Sequence, residues 1–357
     1  VLEVLVEHGA PSDILVDARP HIGSNRLPKV VSALRERLES VGVEFCFDTR
    51  VTGLDVGSAR HVRGAMTAAG EVIGGAAVVV ATGHSAGDVF DVLSAAGVGL
   101  EPKPFALGVR IEHPQPLINE IQYGRHAGHP KLHAASYKLV HTVEERGVFS
   151  FCMCPGGWIV PAATEPDGLV VNGMSLSRRD SPFANSGIVV SIEVDDTRTA
   201  GFDGPLAGLQ LQRAIERRAF QAGGGALRAP ATRLTDFLAG RSSADVPPSS
   251  YVPGLTPGNL ADVLDATGLP LAARLREGLA TFGRKMHGFV SQDAVLVGVE
   301  SRTSCPVRVP RDPVSLESPD LAGLYPCGEG AGYAGGIVSA ALDGIRVARA
   351  IAHGWSA

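Results

Sequence analysis

Apolar and polar residues alternate with two different periods near the start of the chain. From Leu27 to Val41 apolar residues recur every three or four positions and stop at Gly42, which predicts an amphipathic helix. Residues 43–47 then alternate in polarity, which predicts a half-buried strand, and a hairpin pattern follows over 62–73. This helix-then-strand order predicts an α/β layer.

A second strand signal lies further along the chain. Residues Ala76–Ala81 are all small or β-branched and apolar, which predicts a strand buried on both faces. The run ends in Thr82-Gly83, and a helix is predicted around 88–96. Pro102 and Pro104 then mark a boundary.

The middle of the chain changes to strand-like runs, which predict a mostly β insertion. These runs are 105–111, 135–142, 148–154, 169–172 and 187–194. Further on, the patterns predict a helix over 205–222, a Ser/Pro-rich surface loop over 240–250 and a helix over 271–282, with Thr256-Pro257 as the cap and first turn of another helix.

A glycine-dense turn near the C-terminus carries the strongest chemical signal. Residues 321–327 read as a buried strand, and a helix is predicted over 334–352. Between them lies the sequence CGEGAGYAGG, whose glycines would let backbone N–H groups approach an anionic or electron-rich ligand. A tight packing turn is the alternative interpretation. The turn contains a literal G-x-G-x-x-G at 330–335, but a primary dinucleotide fingerprint needs a second strand and an acidic residue beyond it, and only one helix follows.

Composition narrows the class of protein. The 357 residues suggest two domains or one domain with a large insertion. The net charge of −5 contains no long run of like charges, which disfavours nucleic acid and anionic membranes as partners. The chain shows no apolar run of the ~18 or more residues that a membrane span needs. Five cysteines, an odd number, favour a reducing compartment, so we expect the cytoplasm.

Six motifs occur in order along the chain: PHIGSNRL (20–27), VVVATGHSA (78–86), KPFALGVRIEHP (103–114), FSFCMCPGG (149–157), ESRTSCPVR (300–308) and LYPCGEGAGYAGGI (324–337). Together they resemble one family, the uncharacterised bacterial FAD-dependent dehydrogenases of the two-motif FAD/NAD(P)-binding superfamily.

The resemblance implies FAD as cofactor and a set of residues that contact it. These are Val51 beside the adenine, Thr82 and Gly83 in a turn close to the FAD, Gly328 and Glu329 at the ribityl and phosphate portion, and Gly335, Gly336 and Ile337, which present the last helix to the pyrimidine edge of the isoalloxazine. Family members begin with a strand, a G-x-G-x-x-G turn and a ribose-binding acid. None of these precedes Pro20, and the chain opens on Val-Leu-Glu-Val without a Met. We therefore expect a flavin domain entered midway and N-terminally incomplete.

Other residues offer candidate chemistry. Cys152 and Cys154 lie two apart on a predicted strand, so both thiols would share one face, either as a redox pair or as small core residues. Arg302 is the preferred contact for a substrate carboxylate or phosphate because Ser and Thr residues flank it. Further polar residues in apolar or glycine-rich surroundings are His84, Lys138, His141 and Arg308, whereas His126, His129 and His133 read as solvated loop residues. No metal site is predicted.

The prediction is an α/β fold: an N-terminally incomplete, Rossmann-like FAD/NAD(P)-binding domain, split between 1–100 and 300–357, around an inserted mixed β/α substrate domain over 101–299. The expected function is an FAD-dependent oxidoreductase, a dehydrogenase, acting on a small molecule with an electron donor or acceptor, for which NAD(P)H is a candidate. Two alternatives stay open. One is a flavin-free remnant or binding scaffold, and the other is a disulfide reductase that uses Cys152 and Cys154.

Overall fold

The computed structural model describes residues 1–18 and 20–356. The described helices are α1 (Leu2–Glu7), α2 (Leu27–Glu39), α3 (Gly87–Ala95), α4 (Gln115–Tyr123), α5 (Val194–Thr199), α6 (Ala207–Gly223), α7 (Leu234–Leu238), α8 (Ala261–Leu264), α9 (Leu271–Lys285) and α10 (Ile337–Ser356). The described strands are β1 (Val51–Val56), β2 (Val62–Thr67), β3 (Val72–Gly74), β4 (Val78–Val80), β5 (Glu101–Pro102), β6 (Phe105–Pro114), β7 (Val140–Val143), β8 (Arg146–Cys154), β9 (Gly157–Pro161), β10 (Val171–Ser175), β11 (Phe183–Ile192), β12 (Ala229–Arg233), β13 (Leu255–Pro257), β14 (Val295–Glu300), β15 (Val307–Arg308) and β16 (Leu324–Pro326).

A seven-stranded mixed sheet forms the body of the molecule, in the order β13-β12-β14-β6-β11-β8-β7. Its neighbours are antiparallel except for β12 and β13, which run parallel. The central pair is long and regular, with Phe183 opposite Pro114 at one end and Ile192 opposite Phe105 at the other. The fold is therefore mixed α/β with a large mixed sheet.

The main core includes residues from both faces of this sheet, since Leu296 and Val297, neighbours on β14, both belong to it. Strand β6 alternates with a period of two, so Leu107, Val109 and Ile111 enter the core while Arg110 and Glu112 lie on the opposite face. Helix α9 covers the core with its apolar stripe, whose residues Leu271, Leu275, Leu279 and Phe282 are fully buried. The predicted helix over 271–282 is confirmed.

Smaller sheets pair residues from the beginning of the chain with residues from its end. Strand β4 pairs in parallel with β16, and β5 pairs with β15 in antiparallel orientation. A second apolar cluster, which includes Phe90, Leu93 and Leu324, packs around these strands. Two segments separated by about 200 residues of sequence thus form one layer.

The segment that opens with Pro20 contacts the middle of the chain. The N–H of Ser24 donates to the carbonyl of Ser175 at 3.0 Å, and Asn25 accepts from the N–H of Ser177 at 2.9 Å. A Cβ atom at Gly23 would lie 2.4 Å from the Ser177 nitrogen, and Gly23 has a φ of +96°. Glycine is therefore required where this turn meets the residues that follow β10.

Most helix predictions and the hairpin are confirmed, but several strand predictions need correction. Residues 43–47 form no strand, because no described residue pairs with them and their side chains are exposed; Phe45 and Phe47 stack on each other instead, with ring centroids 6.0 Å apart. The predicted strand over 76–81 is limited to β4 and is not buried on both faces, since Val79 is 45% exposed. Among the described strands it pairs with β16 alone.

Two further boundaries differ. Thr256 and Pro257 lie in strand β13, not at the start of a helix, and the Thr256 hydroxyl donates to the carbonyl of Gly223 rather than capping a turn. The strand predicted over 135–142 is regular only from Val140. No described helix combines the length and apolar character needed to cross a bilayer.

Candidate functional site

The carboxyl ends of β4 and β16 bring two glycine turns together. Val80 lies opposite Pro326, and the N–H of Cys327 donates to the carbonyl of Val80 at 2.9 Å. The chain continues into Thr82-Gly83 from one strand and into Gly328-Glu329 from the other. Because parallel strands end at the same edge, the two turns predicted to contact FAD are neighbours in space.

Gly330 is the point of closest approach between these turns. A Cβ atom at Gly330 would lie 2.4 Å from the carbonyl oxygen and 2.7 Å from the carbonyl carbon of Gly83. Both are backbone atoms, which cannot shift without distorting the turn. A side chain would therefore force the turns apart.

A hydrogen bond between two side chains links the same two turns. Nδ1 of His84 lies 2.9 Å from Oε1 of Glu329, and the two side chains are 23% and 22% exposed. A partly buried carboxylate–imidazole pair is an arrangement used for proton exchange.

Asp343 of helix α10 fastens the turn that follows β16. Its carboxylate accepts the N–H of Gly328 at 2.8 Å and two hydrogen bonds from Arg311, at 2.9 and 2.6 Å. Burial acts to raise the pKa of Asp343, but these hydrogen bonds hold it below its usual range. The N–H of Gly328 is thus satisfied inside the protein, so the backbone donors of this turn must come from its other residues.

The amino end of α10 borders an open cleft of about 320 Å³. Gly335 lines the cleft and is exposed, and no atom lies within 4 Å of the Cβ position of Gly335 or Gly336. Ile337, the first helical residue, is 65% exposed. The opposite wall comes from the large sheet and the segment after β14, namely Pro104, Phe105, Ala106, Phe149, Phe151, Ser191, Glu193, Thr303 and Ser304.

A buried ion pair lies within the sheet, on the face of β6 opposite Leu107, Val109 and Ile111. Nη1 of Arg110 lies 2.7 Å from Oε2 of Glu300, with side chains 0% and 3% exposed. Arg110 also donates to Oδ1 of Asn185 at 2.8 Å and to the carbonyl of Cys152 at 2.6 Å. This pair was not predicted from the sequence. The feature that could have indicated it is Arg110, a charged residue at an alternating position of an otherwise apolar strand.

The two cysteines do not lie as a regular strand would place them. A bulge between the β8 partners of Asn185 and Gly187 interrupts the pairing, and Cys152 has a φ of +42°. Both thiols are free, and Sγ of Cys154 lies 3.7 Å from Nη2 of Arg110. Desolvation raises the pKa of Cys152 to about 11 and also raises that of Cys154, although Arg110 opposes both shifts. Two protonated thiols are poor nucleophiles at neutral pH.

The guanidinium of Arg302 is already paired with a carboxylate. Its Nε and Nη2 donate to Glu216 at 3.0 and 2.8 Å, and its Nη1 donates to the hydroxyl of Thr164. Arg302 still lines a small cavity of about 50 Å³ that also contacts His84 and Glu300. A substrate anion at Arg302 would therefore compete with Glu216.

The remaining candidates are dispersed. Val51 is 39% exposed at the start of β1, Lys138 is exposed, and His141 lies 3.8 Å from Glu277. The guanidinium of Arg308 lies over the Tyr333 ring, 5.7 Å from its centroid. The predicted loop histidines His126, His129 and His133 are exposed.

Comparison with known proteins defines the class to which this fold and site belong. Residues 104–303 match the family described as "FAD-dependent protein, C-terminal domain-like", and the chain belongs to that family. An uncharacterized protein of Clostridium beijerinckii is 42% identical over 354 residues, a match that covers 98% of this chain and 65% of the relative. The chain thus spans less than two thirds of that relative's length.

Two solved structures share a weaker likeness. The open conformation of a flavocytochrome c3 fumarate reductase aligns over 98% of this chain and 60% of its own, with 12% identity and a TM-score of 0.36. P. aeruginosa PqsL in complex with 2-aminobenzoylacetate aligns over 53% of this chain and 39% of its own, with 12% identity and a TM-score of 0.23. TM-scores this low do not indicate a shared fold.

Proposed function

We propose that the chain is the larger part of an FAD-dependent oxidoreductase, a dehydrogenase of small molecules. The cleft between Gly335, at the amino end of α10, and the aromatic wall of Phe149 and Phe151 carries the proposal. Its volume of about 320 Å³ is in the range of small-molecule sites. Its walls suit a flat ring with one electron-rich edge, because the amino end of a helix carries a partial positive charge, although the N–H of Gly335 itself donates to Oγ of Ser339 at 3.2 Å.

The described residues fit the ring portion of FAD better than its phosphate portion. Gly335, Gly336 and Ile337 would hold the pyrimidine edge, where open space replaces side chains. Thr82, Gly83 and Glu329 would lie along the ribityl chain, and Val51 toward the adenine. The described turns include no primary phosphate-binding fingerprint, and Gly328 donates its N–H to Asp343.

We further propose a Rossmann-like, split flavin domain over 1–100 and 300–357, around a substrate domain over 101–299. Strand β4 pairs on one edge only among the described strands, and Val79 is 45% exposed. A further parallel strand at that edge, from outside the described residues, would complete the sheet and bring the pyrophosphate donors.

In this proposal the chain's own residues position and shield the reactants. A bound flavin would supply the hydride or electron transfer, and NAD(P)H is a candidate donor. Arg110 holds the bulge at Cys152 through its hydrogen bond to the Cys152 carbonyl, and so fixes Phe151 at the cleft. His84 and Glu329 place an exchangeable proton beside the same turns. The free cysteines support a cytoplasmic setting.

Riboflavin tests the ring site separately from the phosphate site, because it carries the ring and the ribityl chain but no phosphate. We expect the full chain to quench riboflavin fluorescence, and Gly335→Val to weaken binding at least about tenfold by filling the cleft, roughly 1.4 kcal/mol. Gly344→Ala is the matched control, since Gly344 lies on the same helix and its Cβ position is also open. Equal binding by Gly335→Val and the unmodified chain would contradict this placement.

A flavin-free binding scaffold is the second candidate. It is favoured by the partners that Gly328 and Glu329 already have within the protein, Asp343 and His84. Failure of both FAD and riboflavin to bind the full chain would support the scaffold and contradict the oxidoreductase.

A further inference from the structure

A small polar cavity lies where the turn after β4 meets the ends of β10 and β14. It has a volume of about 50 Å³, and its polar lining comes from His84, Ser85, Asn172, Glu300 and Arg302. This exceeds the roughly 10–15 Å³ that one water requires, so a small functional group can enter. Residues 300 and 302 line this cavity and residues 303 and 304 line the larger cleft, so the two spaces are adjacent along the chain.

Charges around the cavity disfavour an anion. Arg302 is paired with Glu216 at 2.8 Å, and Glu300 is paired with Arg110 at 2.7 Å. Arg302, which lines the cavity, and Arg110, which pairs with the lining residue Glu300, are therefore both neutralised by carboxylates. A ligand carboxylate would face Glu300 without a cation left to bind it.

The hydrogen bond between His84 and Glu329 determines what the imidazole can offer. A carboxylate can only accept, so Nδ1 of His84 carries the hydrogen that is donated to Oε1 of Glu329, over 2.9 Å. In the neutral ring Nε2 is then an acceptor, and among the described residues it has no hydrogen-bond partner. A ligand that fits must donate a hydrogen bond.

We propose that this cavity binds the hydroxyl or primary amino group of the substrate, with Nε2 of His84 as its hydrogen-bond acceptor. The inference rests on the proposed oxidoreductase function and names its substrate class, a small alcohol or amine. Glu329 is a positioning residue, because it fixes the ring and the tautomer of His84 without reaching the ligand.

The test uses the full chain with riboflavin added and with its histidine rings labelled with ¹⁵N. Methanol and methylammonium are the hydroxyl and amine probes, and formate is an anion of similar size. We expect both donor probes to shift the Nε2 signal of His84, assigned by its loss in His84→Gln, while formate does not. Signals of His126 and His129, on an exposed segment, are the internal control.

Two variants of Glu329 distinguish a role in positioning the His84 ring from a role in folding. Glu329→Ala should weaken the response of His84 to the probes about tenfold, the size of one lost hydrogen bond, whereas Glu329→Gln, which can still accept from Nδ1, should retain it. The proposal is overturned if formate alone shifts His84, or if neither donor probe does.

Riboflavin binding in the same samples distinguishes the two proposals. If riboflavin binds and His84 does not respond to the donor probes, this site is wrong and the flavin assignment stands. If His84 responds but neither riboflavin nor FAD binds, the donor site stands and the oxidoreductase assignment is wrong.

Discussion

The large sheet buries its apolar residues in one large core, whereas the layer built on β4 and β16 has a smaller core and leaves other apolar residues exposed. In the large sheet, Val109, Ile188 and Val297 are fully buried within one continuous core. Around the second layer, Ile337 is 65% exposed and Leu342 is 51% exposed.

This difference indicates that the large sheet supplies most of the stability, while the exposed residues near β4 and β16 offer a binding surface. Burial of apolar surface contributes about 25 cal/mol per Å², so most of the folding free energy should come from the large sheet and its helices. Exposed apolar residues beside the glycine turns contribute little to folding and remain available to a cofactor or another segment.

The largest expected effect comes from breaking the buried pair of the large sheet. Glu300→Ala leaves Arg110 charged and unpaired at 0% side-chain exposure, so we expect a loss of about 3–5 kcal/mol in the free energy of unfolding. Urea denaturation followed by circular dichroism measures this loss.

Asp195→Ala is the control for that experiment. It breaks the exposed pair with Arg198, whose side chains are 60% and 85% exposed, and it should cost under about 1 kcal/mol. Similar losses for the two variants would show that the buried pair is not a principal support of the sheet.

A smaller, pH-dependent effect is expected where α10 holds the glycine turn. Asp343→Asn should cost about 1.5–3 kcal/mol at neutral pH, because it weakens hydrogen bonds to the charged Arg311. The pKa of Asp343 is lowered in the folded protein, so its stabilisation is complete above the unfolded value of about 3.9 and is lost as pH falls through the lower folded value.

Unfolding free energies at neutral pH and below about pH 4 would show this convergence of variant and unmodified chain. Asp203→Asn, in an exposed pair 3.5 Å from Arg198, should differ little from the unmodified chain at either pH. A difference that persists in acid would assign the loss to packing rather than to charge.

Adding a side chain at the contact between the two glycine turns should lower the free energy of unfolding by about 1–3 kcal/mol. Gly330→Ala places a methyl group 2.4 Å from the Gly83 carbonyl oxygen, which the backbone cannot accommodate without a shift. Gly335→Ala is the comparison, since its Cβ position is open, and it should fold with unchanged thermal stability. Equal melting temperatures would contradict a tight contact.

The smallest effect is expected on the exposed face of α10. Leu342→Gln should change the free energy of unfolding by less than about 0.5 kcal/mol, because its side chain is already in water. Leu279→Ala, at a fully buried site of α9, should cost about 2–5 kcal/mol. A large loss for Leu342→Gln would show that α10 is covered in solution.

Local pattern was sufficient for the helices and for the order of the elements. The apolar stripe of α9 and the run from Gly328 to Gly336 carry their periodicity within a few residues, so a helix and a turn could be predicted without knowledge of their partners. The strand predicted from the alternation over 43–47 was wrong, because a strand needs a neighbouring strand and none of the described residues provides one. The helix start predicted at Thr256 and Pro257 was wrong, because these residues pair with the parallel strand β12 despite their local capping signal.

The site depended more strongly on distant residues. The resemblance to a family indicated Thr82, Gly83 and Glu329, but not the bond between His84 and Glu329, which lie 245 positions apart. The Cys152 bulge and the pairing of Arg302 with Glu216 could not be predicted from the sequence either.

The sequence by itself determined the FAD-dependent family, the two glycine turns and the helix that follows the second of them. These are properties of short segments, each encoded in its own residues. Only the tertiary structure decided which charges are neutralised, which thiols are desolvated and which cavity His84 lines. Those outcomes depend on distances between atoms that parallel strand pairing and helix packing bring together, and hydrogen bonds and desolvation act only at those distances.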